Sequence, residues 1–224
     1  MAEDTVVLLH GLGRSPLAMT GLARYLTRQG FNVINQGYAS RTATIPELCR
    51  DLFHDVLDKV ASYGDQRADT IHFVTHSMGG ILLRYGLQHW VTPRQRLGRA
   101  VMLAPPSQGS EVVDVLREMP LLPRLMGPAF LQLGTDKSSI PVQLLSREKQ
   151  TLPLEVGIIA GNKSYDPWFS GVFVSDNDGK VSVERSRLPG MKDFRVMDVG
   201  HAFIMNNKQV RQQIIHFLQH GYFF

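Results

Sequence analysis

The chain contains a single cysteine, Cys49, among its 224 residues. One thiol cannot form an internal disulfide, so the composition gives no sign of an oxidising compartment. The first residues run directly into an apolar stretch and lack the basic segment and the cleavage site of a secretory leader. We therefore expect a cytoplasmic protein, although a secreted chain whose leader has been removed would read the same.

Long apolar runs are also missing. No stretch approaches the roughly 18–20 apolar residues that cross a bilayer, which argues against a transmembrane segment. The net charge is +4, but the basic residues are scattered, and no basic stripe is interleaved with aromatic side chains. We therefore expect no nucleic-acid partner, whereas a weak attraction to an anionic membrane surface stays open.

What the sequence does contain is a regular alternation of apolar, β-branched runs and amphipathic segments. The composition, 43% hydrophobic and 20% charged, is typical of a globular protein, and the length suits a single domain over residues 1–224. Buried strands that alternate with helices predict an α/β fold whose mostly parallel sheet carries helices on both faces. The predicted strands cover residues 5–10, 31–35, 71–75, 99–104, 154–160 and 193–199, and the predicted helices cover residues 17–29, 44–61, 79–89 and 208–220.

One long segment interrupts this alternation. Residues 105–151 are rich in proline, leucine and methionine and fit no strand–helix unit. An insertion of this length in an α/β fold is often a lid or the wall of a pocket. The alternative is an additional packed helix with its loops, and the sequence favours neither interpretation.

Ser77 lies at the point where a predicted strand turns sharply into a predicted helix. The small residues Gly79 and Gly80 follow it, and only small residues tolerate the close backbone approach of such a turn. The hydroxyl would then lie at the carboxyl edge of the sheet, beside a helix N-terminus whose N–H groups stabilise negative charge. This arrangement predicts a nucleophilic serine.

Two segments resemble motifs of the α/β-hydrolase lipases and esterases. Residues 75–80 read Thr-His-Ser-Met-Gly-Gly and look like the nucleophile elbow, and residues 8–13 read Leu-Leu-His-Gly-Leu-Gly and look like the oxyanion loop. The likeness is greatest to small bacterial lipases and to the lipase-like relatives of GPI inositol-deacylase. The resemblance implies the α/β-hydrolase fold, with Ser77 as nucleophile and the backbone N–H groups of Leu12 and Met78 as oxyanion donors.

The same resemblance implies the two other members of a catalytic triad. His201, which follows the last predicted strand, matches the position of the family's general base, and an imidazole suits that role because its ordinary pKa lies near 6.5. The family's acid often precedes a glycine, which favours Asp178 over Asp176. The chain departs from the family pattern at Thr75, where a glycine is usual.

The resulting order Ser77, Asp178, His201 is that of the α/β-hydrolase triad. It predicts a serine hydrolase that cleaves a small-molecule or lipid carboxylic ester and needs neither a metal nor an organic cofactor. An acyltransferase, a thioesterase, an amidase and a non-catalytic binding protein of the same fold remain alternatives. Residues 119–123, 125–126 and 168–169 are apolar and either line an acyl pocket or belong to the core.

Overall fold

The computed structural model describes residues 4–62, 70–90, 96–147, 152–169 and 171–224. These residues form one six-stranded sheet in which all neighbouring strands are parallel, in the order β2-β1-β3-β4-β5-β6. The strands are β1 (Thr5–Leu9), β2 (Asn32–Gln36), β3 (Ile71–His76), β4 (Leu97–Leu103), β5 (Glu155–Gly161) and β6 (Asp193–Met197). The predicted fold class is therefore confirmed.

Helices cover both faces of this sheet. The α-helices of the described residues are α1 (Thr20–Arg28), α2 (Ile45–Ser62), α3 (Met78–His89), α4 (Glu111–Leu116), α5 (Leu122–Met126), α6 (Pro128–Leu131), α7 (Ile140–Arg147), α8 (Val183–Ser186) and α9 (Lys208–His220). The predicted helix over residues 17–29 divides into a 3₁₀ turn, Pro16–Met19, and α1. The other three predicted helices agree with α2, α3 and α9 to within one residue at each end.

The core has two halves, one on each face of the sheet. Successive side chains of a strand point to opposite faces, so Val7 and Leu9 of β1 pack into one apolar cluster and Val6 and Leu8 into the other. The first cluster contains the buried faces of α2 and α3, and the second contains those of α1 and α9. Coverage on both sides explains why β1 is apolar throughout rather than alternating.

The irregular segment predicted over residues 105–151 folds as a set of short helices, α4 to α7. Its last residues, 148–151, lie outside the described residues. The segment packs on the core at several points, since Val113, Ala129, Phe130, Leu133 and Leu144 are all buried. No helix of the described residues has both the length and the hydropathy needed to span a membrane.

Gly86 of α3 provides a test of the packing between α2 and α3. A Cβ atom at this position would lie 2.0 Å from Cε2 of Phe53, whose side chain is buried in α2. We expect Gly86→Ala to lower the free energy of unfolding by about 1–3 kcal/mol through overpacking. Urea unfolding measures the change.

Gly21→Ala in α1 is the matched control. The nearest atom to its added Cβ is the flexible end of Arg211, and alanine favours a helix over glycine by about 1 kcal/mol. We therefore expect the control to be neutral or stabilising. Equal effects of the two substitutions would contradict the packing described here.

Candidate active site

Ser77 occupies the turn between β3 and α3 with a strained backbone, at φ 54° and ψ −123°. Such a conformation is costly for a residue with a Cβ atom and persists where the surrounding structure enforces it. Gly79 shows why the turn is so tight, because a Cβ atom there would lie 2.6 Å from the carbonyl oxygen of Leu9 and 2.8 Å from that of His10. The start of α3 is thus pressed against the end of β1.

Thr75 lies where the family usually has a glycine, and Gly80 leaves room for its side chain. The threonine side chain is completely buried, and a Cβ atom at Gly80 would lie 3.3 Å from its Oγ1. The space that a glycine at position 75 would leave is therefore filled by the hydroxyl and methyl of Thr75. Its Oγ1 has no hydrogen-bond partner among the described residues, so a threonine at this position leaves a buried polar atom unsatisfied.

His201 connects the serine to a carboxylate. It begins the 3₁₀ helix His201–Asn206 after β6, and its Nε2 lies 3.0 Å from Ser77 Oγ. Its Nδ1 lies 2.7 Å from Asp178 Oδ2. An ionised carboxylate can only accept, so Nδ1 carries the proton, Nε2 is an acceptor, and the Ser77 hydroxyl donates to it.

Asp178 rather than Asp176 contacts the histidine. The side chain of Asp178 is buried, and its Oδ1 accepts hydrogen bonds from the backbone N–H groups of Lys180 (3.0 Å) and Val181 (2.9 Å). The backbone N–H of His201 donates to the Asp178 carbonyl at 3.0 Å. Asp176 is exposed and only its carbonyl is engaged, by the N–H of Val183. The structure thus brings together Ser77, His201 and the preferred aspartate.

His76 lies behind this group and is fully enclosed. Its Nε2 lies 3.0 Å from the carbonyl oxygen of His201, so Nε2 carries a proton and donates, and the two imidazole rings pack with their centroids 4.9 Å apart. Burial, reinforced by the charge that His201 would carry, holds the pKa of His76 well below its ordinary value of 6.5. His76 therefore stays neutral beside the histidine that contacts Ser77.

Contacts from the segment that follows β2 hold the loop that follows β1 in place. The ring of Tyr38 stacks on His10 at a centroid distance of 4.0 Å, and its hydroxyl donates to the His10 carbonyl. The N–H of Gly13 donates to Ser40 Oγ at 2.9 Å. Tyr38 and Ser40 were not predicted from the sequence, because their loop has no periodicity and only the pairing of β1 with β2 brings it here.

Two backbone N–H groups lie close to Ser77, at Leu12 and Met78. Among the described residues, the N–H groups of Leu12 and Met78 donate to no protein oxygen. Met78 is the first residue of α3, so its N–H lies at the positive end of the helix dipole. These are the two N–H groups that the family resemblance predicts as oxyanion donors.

A cavity of about 240 Å³ opens beside Ser77 and His201. The segment that follows β4 supplies most of its apolar wall, through Val113 and Leu116 of α4 and Phe130 of α6. For residues 119–123, 125–126 and 168–169 the sequence left pocket wall and core as alternatives, and most of these residues are neither. Met126 lines the cavity, but Met119, Leu121 and Leu125 point to solvent, and so does Trp168, which is 85% exposed. Apolar composition alone could not distinguish these exposed side chains from the lining.

A larger depression of about 1260 Å³ lies at the opposite, amino edge of the sheet. Its ionisable groups form pairs with one another. Arg99 pairs with Glu155 at 2.8 Å, Lys192 with Glu155 at 3.1 Å, and His72 with Asp4 at 3.4 Å. The carboxyl edge, where Ser77 lies, is therefore the better candidate site, as expected for a parallel sheet.

Comparison with known proteins identifies the family. The sequence pattern of the alpha/beta hydrolase family matches residues 6–210, which is most of the chain. The chain belongs to the alpha/beta hydrolase family. No sequence among curated proteins matches it.

Solved structures share the fold of this hydrolase at low sequence identity. The mature form of the Bacillus licheniformis lipase BlEst2 is 20% identical with a TM-score of 0.77, over 97% of this chain and 91% of the lipase. The Pyrococcus furiosus esterase Pf2001 is 17% identical with a TM-score of 0.62, over 97% of this chain and 81% of the esterase. The Legionella pneumophila phospholipase PlaB is 19% identical with a TM-score of 0.67, over 84% of this chain but only 45% of the phospholipase. At these identities the likeness establishes the fold.

The buried neutral state of His76 predicts how the stability of the hydrolase depends on pH. Because the pKa of His76 is lowered by folding, the unfolded chain binds a proton below about pH 6.5 that the folded chain does not. The free energy of unfolding should therefore fall as the pH drops below that value. His76→Gln keeps a donor for the His201 carbonyl but cannot take up a proton, so we expect a smaller fall.

Urea unfolding of both proteins between roughly pH 5 and pH 8 measures the difference, which can reach about 1.4 kcal/mol per pH unit for one group. The pKa values of His10 and His72 are also lowered by burial, so the variant keeps a residual acid sensitivity. Identical pH dependence in the two proteins would show that His76 is not held neutral.

Proposed function

We propose that the chain is a serine hydrolase that cleaves carboxylic esters through an acyl-enzyme on Ser77. The observation that carries the proposal is the pair of hydrogen bonds that joins Ser77 Oγ to His201 Nε2 (3.0 Å) and His201 Nδ1 to Asp178 Oδ2 (2.7 Å). This is the geometry in which an imidazole removes the hydroxyl proton as the oxygen attacks a carbonyl.

The reaction would proceed in two half-reactions. His201 Nε2 takes the proton of Ser77 while Oγ bonds to the ester carbonyl carbon, and Asp178 stabilises the resulting imidazolium. The tetrahedral intermediate collapses, the bond to the alcohol oxygen breaks, and His201 returns its proton to the leaving alcohol. Water then attacks the acyl-enzyme by the same route, which releases the carboxylic acid and restores Ser77.

The oxyanion of each intermediate needs donors that are already in place. The N–H groups of Leu12 and Met78 suit this role because neither donates to a protein oxygen among the described residues, and the contacts of Tyr38 and Ser40 fix the loop that carries Leu12. Preorganised donors of this kind need no rearrangement during the reaction, and one such donor contributes about 100- to 1000-fold in rate in a well-studied protease. Leu12 and Met78 are therefore the proposed oxyanion hole.

The cavity beside Ser77 is suited to bind the acyl group of the substrate. Val113, Leu116 and Phe130 present hydrocarbon to it, and its volume of about 240 Å³ is small. Ligand pockets usually enclose about 300–1,000 Å³, so a short acyl chain fits better than a long one. We further propose that residues 105–147 act as the wall of this pocket. The neighbouring lipase, phospholipase and esterase structures agree with an ester as substrate.

Hydrolysis of para-nitrophenyl butyrate tests the proposal. We expect the native protein to release nitrophenol, and we expect Ser77→Ala to lower kcat by a factor on the order of 10⁶, because the nucleophile is lost. Ser146→Ala, which removes an exposed hydroxyl on α7, is the matched control and should retain native activity. Release that is equally fast in Ser77→Ala, or no release by the native protein, would overturn the proposal.

A further inference from the structure

A second groove adjoins the cavity beside Ser77. It has a volume of about 650 Å³, and we call it the arginine groove after Arg14 and Arg41, which line it. Arg14 and Ala202 line both the groove and the Ser77 cavity, so the two spaces adjoin at these residues. Gly13, in the loop that follows β1, also lines the groove.

The lining of the arginine groove contains two arginines and no acid, whereas an adjoining depression, which shares Ala202, Phe203 and Asn206 with it, is lined by Asp178 and Asp198. Neither Arg14 nor Arg41 forms an ion pair within the described part of the chain. Arg211 adds to the positive charge, since its guanidinium donates to the side chain of Asn206, another lining residue. By contrast Arg99, for example, binds a carboxylate at 2.8 Å.

Within the described residues, the Arg14 guanidinium contacts an aromatic ring and no hydrogen-bond acceptor. Its carbon lies 5.7 Å from the centroid of the Phe203 ring, a cation–π arrangement that leaves the N–H groups free to donate. Phe203 and Leu17, which also lines the groove, are 68% and 83% exposed. An occupant would therefore meet apolar surface beside free guanidinium donors, a combination that suits an anion attached to an apolar body.

The position of the groove indicates which half of an ester it holds. The apolar cavity beside Ser77 suits the acyl chain. The arginine groove meets this cavity at Arg14 and at Ala202, the residue after His201, and in the proposed reaction His201 gives its proton to the leaving alcohol. The alcohol half would therefore extend toward the arginine groove. We propose that the preferred substrates are esters whose alcohol portion carries a negative charge, as a carboxylate or a phosphate, bound by Arg14 and Arg41. This inference rests on the proposed ester hydrolysis and names its substrate class.

Two esters of matched size, one with an anionic and one with a neutral leaving alcohol, test the inference. Para-butyryloxybenzoate and para-butyryloxybenzamide share the acyl chain and the size of the leaving alcohol. A charge-assisted hydrogen bond predicts about a tenfold higher kcat/KM for the benzoate at low salt, and salt should reduce the ratio through screening. The double variant Arg14→Gln/Arg41→Gln should bring the ratio close to one, mainly through KM.

Arg28→Gln, which removes an exposed arginine at the end of α1, is the matched control and should keep the native ratio. Dihexanoylphosphatidylglycerol and the uncharged dihexanoylglycerol form a second pair, in which the anion is the phosphate of a lipid headgroup. A preference for the anionic member in either pair, lost in the double variant, supports the inference and shows which source of the anion the groove accepts. A ratio near one in both pairs, or a ratio that the double variant keeps, overturns it.

Binding to Ser77→Ala separates this inference from the proposed function. Calorimetric titration with para-butyryloxybenzoate and para-butyryloxybenzamide needs no turnover. If the native protein hydrolyses neither ester but Ser77→Ala binds the benzoate about tenfold more tightly, ester hydrolysis is wrong and the anion site stands. If Ser77→Ala binds both equally, the anion site is wrong whatever the native protein hydrolyses.

Discussion

The hydrogen bond between His201 and Asp178 is the interaction on which the candidate site depends. It places the proton on Nδ1, and only then is Nε2 free to accept from Ser77. The parallel sheet makes this bond achievable, because β3, β5 and β6 all direct their carboxyl ends to one edge. Gly161 at the end of β5 lets the chain segments approach, since a Cβ atom there would lie 2.9 Å from that of Asp178. Three distant parts of the sequence meet as a result.

Features at the carboxyl edge of the sheet lower the stability of the folded chain. Ser77 is held at a positive φ, and buried polar atoms without partners among the described residues occur close by, at His10 Nε2, Thr75 Oγ1 and His76 Nδ1. Strain and unsatisfied groups of this kind concentrate at functional sites, where geometry is favoured over stability. The two apolar clusters on the faces of the sheet offset these costs. The apolar clusters thus stabilise the fold, and the carboxyl edge of the sheet carries the candidate site.

Much of the fold and of the site could be predicted from the sequence because both depend on local patterns. Apolar runs followed by glycine-rich turns indicated β1 and β3, and the resemblance of those turns to hydrolase motifs pointed to Ser77. The same family resemblance pointed to His201, which follows the last predicted strand. The walls of the cavity could not be predicted, since Met119 and Leu125 are as apolar as Met126 yet are exposed. The arginine groove could not be predicted either, because Arg14 and Arg41 are distant in sequence and line the same groove only as a result of the fold.

The most direct test of the account is the rate and site of labelling by a fluorophosphonate, which reacts with an activated serine. The account predicts modification of Ser77, identified by mass spectrometry of the labelled peptide. It predicts labelling roughly 10³–10⁴-fold slower in Asp178→Asn, as expected when the wrong tautomer forms, and within about twofold of native in Asp176→Asn. Modification at another residue, or equal rates in Asp178→Asn and the native protein, would contradict it.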